Sequence, residues 1–204
     1  MSWTDAQKLE KEWWASCANT FGEEVKQTVY AAKMGLKVYD DGNSPFCIDK
    51  SGLNILDIGC GPVSMLLKTK ANIKVAIDPC DYPAWVKMRY TEAGILNERY
   101  KGEDIPDDLG YKFDEVWIYN VLQHVEDPKK VIDNAKRMGK LIRIFEWIDA
   151  ETNEMHPHKL TWPLLDEWLG GKGKIENINE LGCVGKCYYG AFDTGQSEGR
   201  SAVS

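Results

Sequence analysis

Two glycines and two aspartates have the types and spacing that bind a small ligand. The sequence LDIGCG at 56–61 continues an apolar run that predicts a buried strand. Gly59 and Gly61 predict a turn with no side chains to block a ligand. Asp78 ends the next predicted strand 21 residues after Asp57, where a carboxylate can accept both hydroxyls of a ribose. The spacing therefore predicts an adenosine-type ligand at the carboxyl ends of two strands.

The glycine pair also has a simpler interpretation, because glycine turns commonly just join a strand to a helix. A nicotinamide cofactor is disfavoured, since its GxGxxG fingerprint requires a glycine where Ser64 stands. The glycines therefore need support from other motifs before they assign a ligand.

Three histidines are suited to move a proton near neutral pH. His124 follows a predicted strand, and His156 and His158 lie in the loop after the next one. Each is a candidate catalytic base, although His124 can instead cap a helix and the other two can belong to an exposed loop. The six cysteines have no CxxC spacing and predict free thiols, so no metal site is expected.

Alternating periodicity predicts the elements that position these residues. The predicted helices lie at 3–16, 22–35, 83–93, 127–139 and 160–171, with a helix also starting in SMLLK after the glycines. The predicted strands lie at 53–58, 74–78, 99–103, 113–119 and 140–147, followed by KIENI and KCYYGAF. The N-terminal tryptophans are expected to pack against the sheet, as are Trp85, Met88 and Tyr90 in the third helix.

This order predicts an α/β fold: a Rossmann-like, seven-stranded, mostly parallel sheet with helices on both faces. We expect one domain over 1–204, with an N-terminal helical extension or lid at 1–45, a core at 50–193 and a flexible tail at 193–204. The turn-rich segment 40–45 separates the extension from the core.

Four motifs in order resemble those of class I S-adenosylmethionine (SAM)-dependent methyltransferases. They are LDIGCG, IDP at 77–79, GEDIP at 102–106 and FDEVWIYNVLQHVEDP at 113–128. The resemblance covers roughly residues 50–148 and implies SAM as cofactor. The cofactor-binding residues that it implies are Asp57, Gly59, Cys60, Gly61, Asp78, Pro79, Glu103, Asp104, Ile105, Asn120, Val121 and Leu122.

The resemblance also implies roles for these residues. Asp57 and the glycine turn surround the methionine moiety, Asp78 binds the ribose, and residues 120–122 line the sulfonium end. Either Glu103 or Asp104 meets the adenine amine, and Ile105 packs on the ring. One departure is Val63, which stands where many members of the family have a third glycine.

The resemblance implies methyl transfer from SAM to an acceptor, which we expect to be a small metabolite methylated on oxygen or nitrogen. Two alternatives stay open: a macromolecular acceptor, or a noncatalytic SAM-binding regulatory module. The NPPY motif of base-methylating enzymes is absent, since this chain has NVLQ at 120–123.

Composition favours a small acceptor in a cytoplasmic protein. A net charge of −7 over 204 residues repels phosphate backbones, so a nucleic-acid partner is not expected. The lysines of KTKANIK at 68–74 are expected in a solvated helix end and loop. Neither a secretory signal nor an apolar run of roughly 20 residues is visible, so no membrane contact is expected. The oligomeric state is not readable from the sequence.

Overall fold

One sheet organises the chain, and its strands come from nearly the whole sequence. The computed structural model describes residues 3–42 and 44–196, with the backbone alone described at 3, 4, 6 and 17. The N-terminal elements are α1 (Trp3–Trp14), α2 (Cys17–Lys33) and β1 (Val38–Tyr39). The later elements are β2 (Cys47–Ile58), β3 (Thr69–Ile77), α3 (Ala84–Glu92), β4 (Leu96–Glu98), β5 (Phe113–Tyr119), α4 (Pro128–Met138), β6 (Gly139–Trp147), α5 (Trp162–Leu169), β7 (Lys174–Glu180) and β8 (Cys183–Asp193).

The sheet of the described residues has the strand order β4-β3-β2-β5-β6-β8-β7, with the short β1 paired to β2 outside that row. Neighbours from β4 to β6 are parallel, whereas β8 lies antiparallel between β6 and β7. This confirms the predicted Rossmann-like, mostly parallel sheet and adds β1 as an eighth strand. Strand order reverses between β2 and β5, and in such sheets ligands bind at that point, outside the carboxyl ends of the strands.

Helices cover both faces, as predicted. One apolar layer contains Tyr30 of α2 and Tyr90 of α3, both at most 1% exposed. The opposite layer contains Ile132 of α4 and Leu165 of α5, both fully buried. Sequence patterning explains this arrangement, since β5 is buried at six of its seven positions and must be covered on both faces.

Helix α4 begins and ends where its sequence predicts. The side chain of Asp127 accepts the N–H of Lys130 at 3.0 Å, and Pro128 occupies the first turn. Gly139 follows the helix and begins β6 directly. A Cβ there would lie 2.6 Å from a methyl carbon of Val116, so the close approach to β5 requires a glycine.

The predicted helix between the first two core strands is wrong. Residues 65–68 form a single 3-10 turn, and the lysine-rich segment 68–74 mostly belongs to β3 rather than to a solvated loop. The cause is length, since only residues 59–68 separate β2 from β3 and the glycine turn takes the first of them. Lys74 is held within the fold, donating to the carbonyl of Ala93 at 2.6 Å.

Three local predictions also need correction. The strand expected at 99–103 lies earlier, at β4, because Gly94 ends α3 and the chain turns into the sheet at once. Met88 is 56% exposed, whereas Tyr90 is buried as predicted and shares the buried stripe of α3 with Val86. Trp13 is 53% exposed, whereas its neighbour Trp14 packs against the apolar layer of the sheet as predicted.

Some expectations fall partly outside the described residues: the tail beyond residue 196, and the side chains of Trp3 and Cys17. The five described cysteines are free thiols, as predicted. Within residues 3–42 and 44–196, no helix is long and apolar enough to cross a membrane.

Candidate active site

A cleft opens at the carboxyl ends of β2, β3 and β5, beneath α1 and α2. Its empty volume, open solvent included, is about 780 Å³. The described lining residues anticipated from the sequence are Gly59, Cys60, Gly61, Asp78, Pro79, Glu103, Asn120, Val121 and His124. The tertiary fold thus brings together four segments that are separated by up to 65 residues.

The glycine turn joins β2 to the cleft. Gly59 and Gly61 have φ values of +70° and +59°, which strain any residue with a Cβ. A Cβ on Gly59 would lie 2.5 Å from Cγ1 of Val121, whereas one on Gly61 would meet no atom within 4 Å. The first glycine therefore allows two loops to pack closely, and the second keeps the floor of the cleft open.

Asp78 follows β3 and braces the glycine turn. Its Oδ2 accepts the N–H of Gly61 at 3.0 Å, and its Oδ1 accepts the N–H of Cys80 at 2.9 Å. Burial, aided by the charge of Glu10, raises the pKa of Asp78 to about 6. Each oxygen keeps a lone pair, so the carboxylate can also accept hydrogen bonds from a ligand.

Asp57 lies beneath the cleft rather than on its surface, which differs from the sequence expectation. It is fully buried, and its Oδ2 accepts hydrogen bonds from the hydroxyls of Ser64 and Tyr119 at 2.5 and 2.6 Å. Its Oδ1 has no hydrogen-bond partner among the described residues. Burial raises the pKa of Asp57 to about 7. Asp57 therefore supports the loop from below, and its contact with a ligand is not built into this arrangement.

The turn after β5 is held in a strained conformation. Asn120 has a φ of +58°, and its N–H donates to the carbonyl of Phe145 at 2.8 Å. Glu146, fully buried in β6, accepts the N–H groups of Val121 and Leu122 at 3.0 and 3.1 Å through one oxygen. Leu122 points into the core and does not line the cleft, because the turn exposes only Asn120 and Val121 to it.

The adjacent acids of GEDIP take opposite positions. Glu103 lines the cleft at 6% exposure, and its Oε1 accepts the N–H groups of Glu126 and Asp127 at 2.7 and 3.1 Å. Asp104 faces solvent and pairs with Lys130 at 3.2 Å. Ile105 is packed into the layer beneath α4 instead of facing the cleft.

Of the three histidines, His124 lines the cleft and the other two do not. Burial lowers the pKa of His124 to about 4, so the ring is neutral at neutral pH. His156 packs edge-on against it with ring centroids 4.5 Å apart and does not line the cleft. His158 lies in a separate groove, with its Nε2 2.8 Å from the carbonyl of Val125.

The N-terminal helices add lining residues that no sequence motif identified. They are Gln7, Glu10 and Trp14 of α1, and Glu23 and Gln27 of α2. The expectation of a lid indicated these helices but not their residues. The sequence does contain one signal for two of them. Glu23 and Gln27 are polar residues at i, i+4 spacing, which puts them on one face of α2, beside the apolar stripe that includes the buried Val29 and Tyr30.

Comparison with known proteins gives a family for the centre of the chain. Residues 56–141 match the family model described as a methyltransferase domain. A curated relative is the ubiquinone biosynthesis O-methyltransferase of Pseudomonas syringae pathovar tomato, 30% identical over 95 residues. That match covers 44% of this chain and 41% of the relative, so it spans less than half the length of either protein.

Solved structures extend the likeness over most of the chain. The N-methyltransferase NodS from Bradyrhizobium japonicum, solved with S-adenosylhomocysteine (SAH), has a TM-score of 0.64 at 14% identity, covering 92% of this chain and 97% of that one. Magnesium protoporphyrin IX methyltransferase from Synechocystis, also solved with SAH, has a TM-score of 0.57 at 14% identity, covering 87% and 88%. The chain thus has the fold of these two methyltransferases, and its residues 56–141 match the methyltransferase-domain family model.

Proposed function

We propose that the protein transfers a methyl group from SAM to a small-molecule acceptor, on oxygen or nitrogen. The observation that carries the proposal is the convergence of the Gly59–Gly61 turn, Asp78 and the Asn120–Val121 turn on one cleft. The name of the curated relative, an O-methyltransferase of ubiquinone biosynthesis, supports an acceptor of small size.

The residues present fit SAM. Gly61 leaves open space at the floor of the cleft, and the Asp78 carboxylate suits the two hydroxyls of a ribose. Glu103 and Pro79 line the end where adenine would lie. Asn120, Val121 and the glycine turn would surround the methionine moiety. When bound, SAM supplies an electrophilic methyl group on a sulfonium.

The contribution of the chain to this reaction is positioning and exclusion of water. α1 and α2 cover the cleft, so Trp14 and Gln27 would shield the reacting atoms from solvent. Among the histidines, His124 alone lines the cleft, where its ring would contact an acceptor.

Calorimetric titration with SAM and SAH tests the cofactor site. We expect Asp78→Asn to weaken SAM binding by about tenfold or more, the value of one charge-assisted hydrogen bond. Asp104→Asn is the matched control, because Asp104 is an exposed acid outside the cleft. This variant should bind SAM as tightly as the parent does. Equal affinity of parent and Asp78→Asn would contradict the proposed ribose contact, and no binding of SAM or SAH to the parent would overturn the function.

Formation of SAH in the presence of acceptors separates an enzyme from a protein that only binds SAM. His124→Gln should slow that formation, while His158→Gln, in a separate groove, should leave it unchanged. Equal rates for both variants and the parent would remove His124 from the reaction.

A further inference from the structure

One end of the cleft is rich in hydrogen-bond acceptors. This acidic end consists of the described residues Glu10, Glu23, Gln27, Asn120 and His124. Both carboxylates are mostly buried, with 16% and 12% of their side chains exposed. Lys101 is the cation among the described lining residues, but it lies beside Gly102 and Glu103 and pairs with Glu126 at 3.0 Å. Outside the lining, Lys26 pairs with Oε2 of Glu23 at 3.2 Å.

The side-chain amides of this region already donate hydrogen bonds within the protein. The amide of Asn120 donates to Glu23 Oε1 at 3.4 Å, and the amide of Gln27 donates to the carbonyl of Val63. The amide of Gln7 donates to Glu10 Oε2 at 3.3 Å. The acidic end therefore offers a ligand few protein groups that could donate a hydrogen bond to it.

Unused acceptors remain there. Gln27 is 1% exposed, and its Oε1 has no hydrogen-bond partner among the described residues, although the side chain lines the cleft. An unpaired buried carbonyl oxygen costs free energy that a donor on a ligand would recover. This buried oxygen is independent of the two carboxylates and requires the same kind of ligand, one that donates.

We propose that the methyl acceptor is an amine that binds as an ammonium between Glu10 and Glu23, and that Glu10 removes its proton before methyl transfer. The inference deepens the proposed function and rests on it. An ammonium carries three donors and a positive charge, which match the unpaired oxygen of Gln27 and the two carboxylates. A carboxylate or phenolate acceptor would instead meet like charge in a partly buried cleft.

The chemistry balances. The ammonium gives one proton to the Glu10 carboxylate, which leaves a neutral amine with a free lone pair. That pair forms the bond from nitrogen to the methyl carbon while the carbon–sulfur bond breaks and its electrons stay on sulfur. The products are a methylated ammonium and SAH, with the proton on Glu10. Burial raises the pKa of Glu10 to about 7, which suits proton exchange at neutral pH.

Several groups face Glu10 and set its titration. They are Gln7 and Trp14 on α1, Asp78, Cys80 and Tyr82 after β3, and His124, whose Nδ1 lies 3.4 Å from Glu10 Oε1. His124 is a weaker base than Glu10 in this site, since burial lowers its pKa to about 4. His124 would therefore orient the acceptor or Glu10 and leave the proton to the carboxylate.

Direct binding tests the acceptor class without turnover. The full chain saturated with SAH is mixed with sets of a primary amine, an alcohol and a carboxylate that share one carbon skeleton, such as the phenethyl and butyl series. Ligand-observed NMR then ranks binding within each set. We expect the amines to bind best, and Glu10→Gln and Glu23→Gln each to weaken amine binding about tenfold or more. Glu12→Gln, an exposed acid on the same helix, should leave it unchanged.

Three outcomes would overturn the inference: alcohols or carboxylates binding as well as the amines, no amine binding at all, or unchanged amine binding in both cleft variants. Calorimetry with SAH on the same variants distinguishes a role in cofactor binding. If Glu10→Gln and Glu23→Gln weaken SAH and amine binding equally, the carboxylates serve the cofactor and the inference fails. Failure of SAM and SAH to bind the parent would overturn the proposed function itself, whereas cofactor binding with a preference for alcohols overturns only this inference.

Discussion

One carboxylate oxygen of Glu146 accepts two consecutive backbone N–H groups, from Val121 at 3.0 Å and Leu122 at 3.1 Å. Glu146 is fully buried near the end of β6, whereas its partners form the turn that follows β5. The contact fixes the strained turn at Asn120 that forms one wall of the cleft. A core residue that no ligand need touch therefore sets the shape of the site.

Removing this carboxylate should damage both stability and cofactor binding. Glu146→Ala leaves two buried N–H groups unpaired, and we expect it to lower the free energy of unfolding by about 2–4 kcal/mol. Glu146→Gln keeps an oxygen at the same place and should cost less than about 1 kcal/mol. Urea unfolding of both variants measures the difference. Equal losses would show that the two N–H groups do not depend on this oxygen.

Stability without cofactor should fall as pH rises from about 6.5 to 8. Burial raises the pKa of Glu146 to about 8 and the pKa values of Asp57 and Glu10 to about 7. In this window the folded state binds more protons than the unfolded chain, whose carboxyl groups have already ionised, so unfolding becomes easier with rising pH. The lowered pKa values of His124 and His156, about 4, act in the opposite direction but only below about 6.5.

The pH effect is measured as the Tm in matched buffers across the same window. Glu146→Gln should flatten the decline, because its amide does not titrate. A Tm of the parent that rises between pH 6.5 and 8 would contradict the assigned protonation of these buried acids.

The two cleft glycines should respond differently to alanine. Gly61→Ala meets the backbone strain alone, about 1–2 kcal/mol, and places a methyl group in open space within the cleft, so SAM binding should weaken. Gly59→Ala adds a steric clash with Val121 and should destabilise by about 1–3 kcal/mol more. Adding Val121→Ala to Gly59→Ala should recover part of the lost stability, whereas adding it to Gly61→Ala should recover none. Similar unfolding free energies for both single variants would argue against the clash.

Substitutions of the two acids of GEDIP should have different effects on SAM affinity in a cofactor titration. Glu103→Gln keeps one oxygen for the N–H groups of Glu126 and Asp127, so the fold should change little, but it replaces the other oxygen with a donor. If that oxygen accepts the adenine amine, SAM affinity falls by about tenfold or more. Asp104→Asn should bind SAM as the parent does, because Asp104 lies outside the cleft on Lys130. The reverse order of effects would assign adenine recognition to Asp104.

Local patterns in the sequence determined the elements with strong periodicity or clear end signals. β5 and α4 begin and end almost where alternation and capping predict, because buried strands and capped helices depend on residues that are neighbours in the chain. The ordered motifs also predicted the Gly59–Gly61 turn and Asp78 at the cleft. Segments with a weak or mixed pattern were predicted wrongly. The lysines of 68–74 indicate a solvent-exposed segment, yet this segment pairs with β2 in the sheet.

Tertiary structure decided which of the predicted site residues share a surface. Glu103 and Asp104 are adjacent in sequence, yet the 3-10 turn there points one into the cleft and the other to solvent. Asp57 has the residue type of a ligand contact, but Ser64 and Tyr119 hold it beneath the floor. Glu10, Glu23 and Gln27 belong to no motif and reach the cleft only because α1 and α2 fold back over the sheet. Such contacts join residues that are far apart in the chain, so no local sequence pattern predicts them.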